Sequence, residues 1–284
     1  VASLAKDRGS QTGSEKNLRD DAKELVVRIS SFFGPLVLLA CCVSASAQGW
    51  LDQRASGPVV CRADFPLDGY EGLFRDLASV QNDLVRMLAV APAEEPIELY
   101  LFRDKRTFTN HMQKRYPKVP LRRALFVKGA GPGRVFAYRH DDLPIDIRHE
   151  GTHALLHASL PMVPLWLDEG LAEYFEVPPE ERAFDNPHLG PLRWDMRLGN
   201  VPRIAALEAK GDLAEMSATD YRHAWAWVHF MMHGPKEARD ELVSFLGDIR
   251  MSTPPGKLSE RLSHRLPHPE KLLVQHFKSW RRAP

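Results

Sequence analysis

The chain has 284 residues, with 38 Lys+Arg against 37 Asp+Glu, a formal net charge of +1 and 44% hydrophobic residues. Near-neutrality excludes the basic footprint of a nucleic-acid-binding protein. The 18 Gly and 22 Pro are too few for a fibrous or low-complexity chain, and three Cys cannot build a disulfide scaffold. The length suits one large domain or two small ones.

In chain order, residues 1–25 form a polar extension of mixed charge. The chain opens with Val and its first Met is Met87, so a start downstream, near Val26 or Val27, is expected. Phe32–Val43 is a twelve-residue apolar run preceded by Lys23 and Arg28 and followed by Ala45-Ser46-Ala47. Charge, grease and a small-x-small site in that order predict a signal peptide over 26–47, hence export to a periplasmic or extracellular location. The run is shorter than the roughly 20 apolar residues a bilayer crossing needs, so no stable membrane span is expected. Leu38-Leu39-Ala40-Cys41 offers a rival fate, lipid anchoring at Cys41. Residues 1–47 carry six Lys/Arg and five Asp/Glu, and removing them leaves 32 of each with Cys61 as the lone thiol.

The remainder reads as one α+β domain over 55–284, a small twisted sheet followed by a mainly helical half. Val59–Phe65 reads as a strand, and Leu73, Leu77, Val80, Leu84 and Leu88 recur at helical spacing across 69–89. Ile97–Phe102 alternates as a strand and 105–115 suits a helix. Ala124–Val127 and Val135–Tyr138 flank the glycine cluster Gly129–Gly133, which reads as a hairpin tip, since no Lys-Ser/Thr follows to make a phosphate loop. Further helices are predicted at 144–158, 166–176, 219–233, 235–249 and 268–281, with 177–218 as an irregular excursion containing short helical turns. No internal repeat occurs.

The segment His149-Glu150-Gly151-Thr152-His153 is an HExxH motif inside a helical stretch. Residues i and i+4 share one helix face, so both imidazoles can reach one ion, and neutral imidazole is a good zinc ligand. Glu150 is then placed to take a proton from water beside that ion. After Pro161 and Pro164 comes Leu165-Trp166-Leu167-Asp168-Glu169-Gly170-Leu171-Ala172-Glu173-Tyr174-Phe175. A returning helix there brings a carboxylate opposite the histidines. Asp168 lies about a hundred degrees round that helix from Glu169 and reads as a solvated residue. Arg148 reads as the partner of an acid on the sheet.

HEGTH followed by WLDEGLAEYF resembles the gluzincin zinc metallopeptidases, in particular the peptidase-MA-like bacterial domains, tightly over His149–Phe175 and loosely over 59–250. The resemblance implies a zincin-like fold, one Zn2+ ion held by His149, His153 and Glu169, and Glu150 as general base. It implies a peptide or protein substrate and no nucleic acid. It also places Glu173 as the support of a ligand imidazole, the alternative being Glu173 as ligand and Glu169 as support. Tyr221 is the expected oxyanion donor, with His223 second, and Val135–Tyr138 the strand expected to pair with substrate. The other histidines read as ordinary surface or helix residues. The competing function is a non-catalytic zincin-fold envelope protein that binds metal or a partner.

Overall fold

The computed structural model describes residues 49–129 and 131–282. The expected extension and signal peptide, and Cys41 with them, lie outside the described residues. Those residues form an α+β unit with a five-stranded mixed sheet and ten α-helices. None of these helices is long and apolar enough to cross a membrane.

The strands are β1 (Asp52–Ser56), β2 (Val59–Ala63), β3 (Ile97–Phe102), β4 (Ala124–Val127) and β5 (Gly133–Tyr138), in the order β1-β2-β3-β5-β4. β2, β3 and β5 run parallel, while β1 and β4 close the two edges antiparallel. The crossover from β2 to β3 is α1 (Glu71–Leu88), and α2 (Lys105–Arg115) follows β3. Alternation in β3 sends Ile97, Leu99 and Leu101 into the main core, whereas Phe102 turns to a second cluster with Phe108, Met112 and Phe136. Both faces of the sheet are therefore covered.

The second half is helical: α3 (Leu143–His157), α4 (Leu165–Phe175), α5 (Leu189–Arg197), α6 (Ile204–Glu208), α7 (Ala218–His233), α8 (Lys236–Arg250), α9 (Leu258–Arg265) and α10 (Pro269–Ser279). Pro144 opens α3, where a missing N–H costs nothing, and Asp146 in its first turn complements the helix dipole. Helix α3 crosses α1 at Gly151, where an added Cβ would fall 2.2 Å from Leu77 Cδ2. Helix α4 crosses α7 at Gly170, where it would fall 2.8 Å from the Ala224 carbonyl oxygen. The two glycines let α1, α3, α4 and α7 close onto one another and set the distance between the HExxH helix and its returning partner.

The structure departs from the sequence-based expectations at a few elements. β1 was not anticipated, nor was α9. The stretch 177–218 holds a nine-residue helix, α5, beyond mere turns. β5, expected to offer an edge to substrate, is interior: β3 occupies one side and β4 the other. The edge on that side of the sheet belongs to β4.

Candidate metal centre

Helix α3 presents His149 and His153 one turn apart, with ring centroids 5.0 Å from each other. Helix α4 returns Glu169 beneath them. Its Oε2 lies 3.6 Å from His149 Nε2 and 3.8 Å from His153 Nε2. Ligands of a tetrahedral zinc, roughly 2.0–2.1 Å from the ion, stand about 3.3 Å from each other, so these separations are close to ion-sized. Glu169 Oε2 is buried and accepts no hydrogen bond. A buried carboxylate oxygen without a donor is costly unless a cation meets it. The three residues thus fit a single metal ion.

The outer nitrogens of both rings are held by carboxylates, which fixes the tautomer that leaves each Nε2 free to coordinate. His149 Nδ1–H donates to Glu176 Oε2 at 3.0 Å. His153 Nδ1–H meets Asp168 Oδ1 at 2.8 Å. The other Asp168 oxygen is 2.9 Å from His157 Nε2, so one carboxylate anchors two rings of α3. Phe126 of β4 stacks against His157 with centroids 5.6 Å apart, closing that side.

These contacts correct three assignments. Asp168 is not a solvated residue but half-buried against α3, and it performs the supporting role expected of Glu173. Glu173 instead accepts from His188 Nε2 at 2.6 Å, and the residue that supports His149 is Glu176, just past the end of α4. Arg148 pairs with Asp76 Oδ2 at 2.7 Å, an acid of α1 and not of the sheet, and also donates to the Glu176 carbonyl.

The electrostatics follow from four carboxylates around two imidazoles, His153 buried and His149 half-buried. Burial opposes charge on His149, yet the Glu169 and Glu176 carboxylates together outweigh it and raise its pKa well above the ordinary histidine range. Burial likewise opposes charge on His153, but the Asp168 carboxylate prevails and lifts it to about 9. Asp168 itself is displaced downward, the paired imidazoles overcoming its desolvation. Glu176 is raised by burial, while Glu173 is lowered because its desolvation is outweighed by the His188 bond together with the charges of His149 and His188. The centre therefore attracts positive charge. A second grouping, His149 with Glu173 and Glu176, also brings potential ligand atoms within 4.8 Å of one another. There the carboxylates are already engaged by His149 and His188, so the grouping with Glu169 is the better ion site.

A cleft of about 200 Å³ opens beside the centre, lined by His149, Glu150, Glu176, Ala124, Arg122 and Arg123 among others. The Glu150 carboxylate forms no ion pair or hydrogen bond with any described residue. Tyr221 lies in the first turn of α7, which starts at a capping box: Asp220 N–H donates to Ser217 Oγ and Ser217 N–H donates to the Asp220 carboxylate at 2.8 Å. Burial and the nearby Glu169 charge raise the Tyr221 pKa, against the opposing influence of Arg122. His223 turns elsewhere, its Nε2 3.6 Å from Asp195 Oδ2 on α5.

Among the histidines taken as ordinary, His229, His233 and His276 form a buried cluster away from the centre. His229 Nδ1 is 3.1 Å from His276 Nε2, and His233 Nε2 is 2.8 Å from the Tyr174 hydroxyl. Burial drives all three downward, His233 and His276 to about 4. Cys61 is buried in the sheet, and desolvation pushes its thiol up to about 12, which leaves it unreactive.

Comparison with models of known families and with curated proteins finds no match to this chain.

Proposed function

We propose that this protein is an exported, zinc-dependent peptidase with a gluzincin-like zincin fold. The observation that carries this reading is the convergence of His149, His153 and the unpartnered Glu169 Oε2 beside an open cleft. Two imidazoles and a carboxylate make up the donor set of a catalytic zinc, with a position left for water or substrate. Export is supported by the apolar run Phe32–Val43 and the Ala45-Ser46-Ala47 site.

Zinc bound there supplies Lewis acidity, lowering the pKa of a water molecule and polarising the scissile carbonyl. Glu150, free on the cleft wall, accepts a proton as the water oxygen attacks the carbonyl carbon. It returns that proton to the amide nitrogen as the C–N bond breaks, giving a carboxylic acid and an amine. The Tyr221 hydroxyl donates to the carbonyl oxygen while negative charge builds on it. Asp168 and Glu176 keep both imidazoles oriented. An extended substrate aligns along the free edge of β4, which takes the role expected of β5.

The test is incubation of zinc-loaded protein with a broad peptide pool, with Glu150→Gln as the control. Cleavage products from the wild type that fall at least a thousandfold in the variant are the expected result. Equal products from both, or none from either, refute the peptidase and leave a non-catalytic metal- or partner-binding protein.

A further inference from the structure

Two adjacent arginines lead into β4, and their surroundings differ. Arg123 is tied down, with Nη1 2.5 Å from Asp142 Oδ2 and Nη2 2.9 Å from Asp146 Oδ1. That clamp joins the start of the edge strand to the first turn of α3 and fixes the backbone that carries Arg122. Arg122 itself is exposed, lines the cleft with His149 and Glu150, and has no carboxylate partner among the described residues. A guanidinium carries five N–H donors in a planar fork suited to bidentate carboxylate recognition.

We infer that Arg122 is a carboxylate receptor that makes the cleft select peptides carrying a negative charge next to the bond that is cut. This rests on the peptidase reading above. The carboxylate belongs either to an Asp or Glu side chain or to a free C-terminus. The other charges of the cleft agree with this. Asp146 is neutralised by Arg123 and Glu176 is engaged by His149, so neither competes for Arg122. Glu150 is the one carboxylate there without a partner. No ion pair joins Arg122 to it, so the base is not quenched and the guanidinium stays open to a ligand. A substrate carboxylate docked on Arg122 is thereby anchored within reach of His149, Glu150 and Tyr221.

The experiment compares peptide pairs cleaved by the zinc-loaded protein. One pair differs by Glu against Gln beside the cleaved bond, the other by a free against an amidated C-terminus. A charge-assisted bidentate contact predicts a ten- to hundredfold higher kcat/KM for the charged member. Preference within the first pair assigns the carboxylate to a side chain, within the second to the chain terminus. Arg122→Ala levels the preference, Arg122→Lys keeps part of it, and Arg122→Glu turns it toward a Lys-bearing peptide. Binding of the same pairs to Glu150→Gln protein, followed by fluorescence anisotropy, reads recognition without turnover. Discrimination in binding without cleavage by the wild type refutes the peptidase and keeps the receptor. Equal kcat/KM and equal binding within both pairs overturn the receptor, as does a loss in Arg122→Glu that is the same for every peptide.

Discussion

His153 and Asp168 form an ion pair across two helices, Nδ1 to Oδ1 at 2.8 Å, and the same acid holds His157 through its second oxygen. Asp168→Asn keeps the volume but removes the charge that raises ligand basicity. Zinc affinity, measured by competition with a chromophoric chelator, is expected to fall 10- to 100-fold with the fold retained. Unchanged affinity would remove the supporting role given to this carboxylate.

Loading the centre should stabilise the folded chain by mass action. Free zinc at about a hundred times its Kd adds about 2.7 kcal/mol, or roughly 5–10 °C in Tm for a domain of this size. A chelator reverses the gain, and Glu169→Gln, which takes the charge from the unpartnered oxygen, abolishes most of it. A zinc-dependent shift in that variant equal to the wild type's would count against Glu169 as a ligand.

The crossing of α4 and α7 tolerates no side chain at position 170. Gly170→Ala sets a methyl 2.8 Å from the Ala224 carbonyl oxygen, so the helices must part, and a loss of about 1–3 kcal/mol is expected in urea denaturation. Gly190 has open space around the position of its Cβ, and Gly190→Ala within α5 should be neutral or slightly stabilising. Equal effects of the two substitutions would refute the close approach.

The buried cluster of His229, His233 and His276 gives stability a pH dependence. The groups facing it are one another, the Tyr174 hydroxyl, and Arg239, which adds to the lowering at His233. Unfolded, these rings bind protons near pH 6.5; folded, His233 and His276 resist them down to about 4. Their contribution is present above pH 6.5 and lost as pH falls toward 4, by roughly 3 kcal/mol for each ring. His276→Gln removes one such ring, so the urea midpoint should fall less steeply over this window than in the wild type. Parallel slopes would exclude the cluster as the source.

The HExxH helix and the acid at 169 were legible because i,i+4 spacing acts within one helix and the return through Pro161 and Pro164 is short. Ile97–Phe102 and Lys105–Arg115 carry equally local signals, and their observed bounds coincide with the expected ones. Asp168 was misread because its angle from Glu169 describes α4 alone, whereas α3 crosses over that face and its histidines engage both carboxylate oxygens. Glu176 lies beyond the helix end, where periodicity is silent. β1 (DQRAS) has no apolar alternation, since it is an edge strand held by pairing with β2. Likewise α9 offers little beyond Leu258 and Leu262 as apolar signal. The histidine cluster draws on α7 and α10, a meeting that no spacing along the chain reveals.

The box of Ser217 and Asp220 stands immediately ahead of Tyr221. An unfastened first turn frays, and a phenol on a fraying turn spends part of its time out of reach of the reacting carbonyl. Ser217→Ala, a change of one oxygen atom in a residue that coordinates nothing, should therefore slow turnover while leaving the grip on the ion untouched. On the proposed reading, turnover and ion retention, though built from the same few helices, are fastened by separate knots and should loosen one at a time.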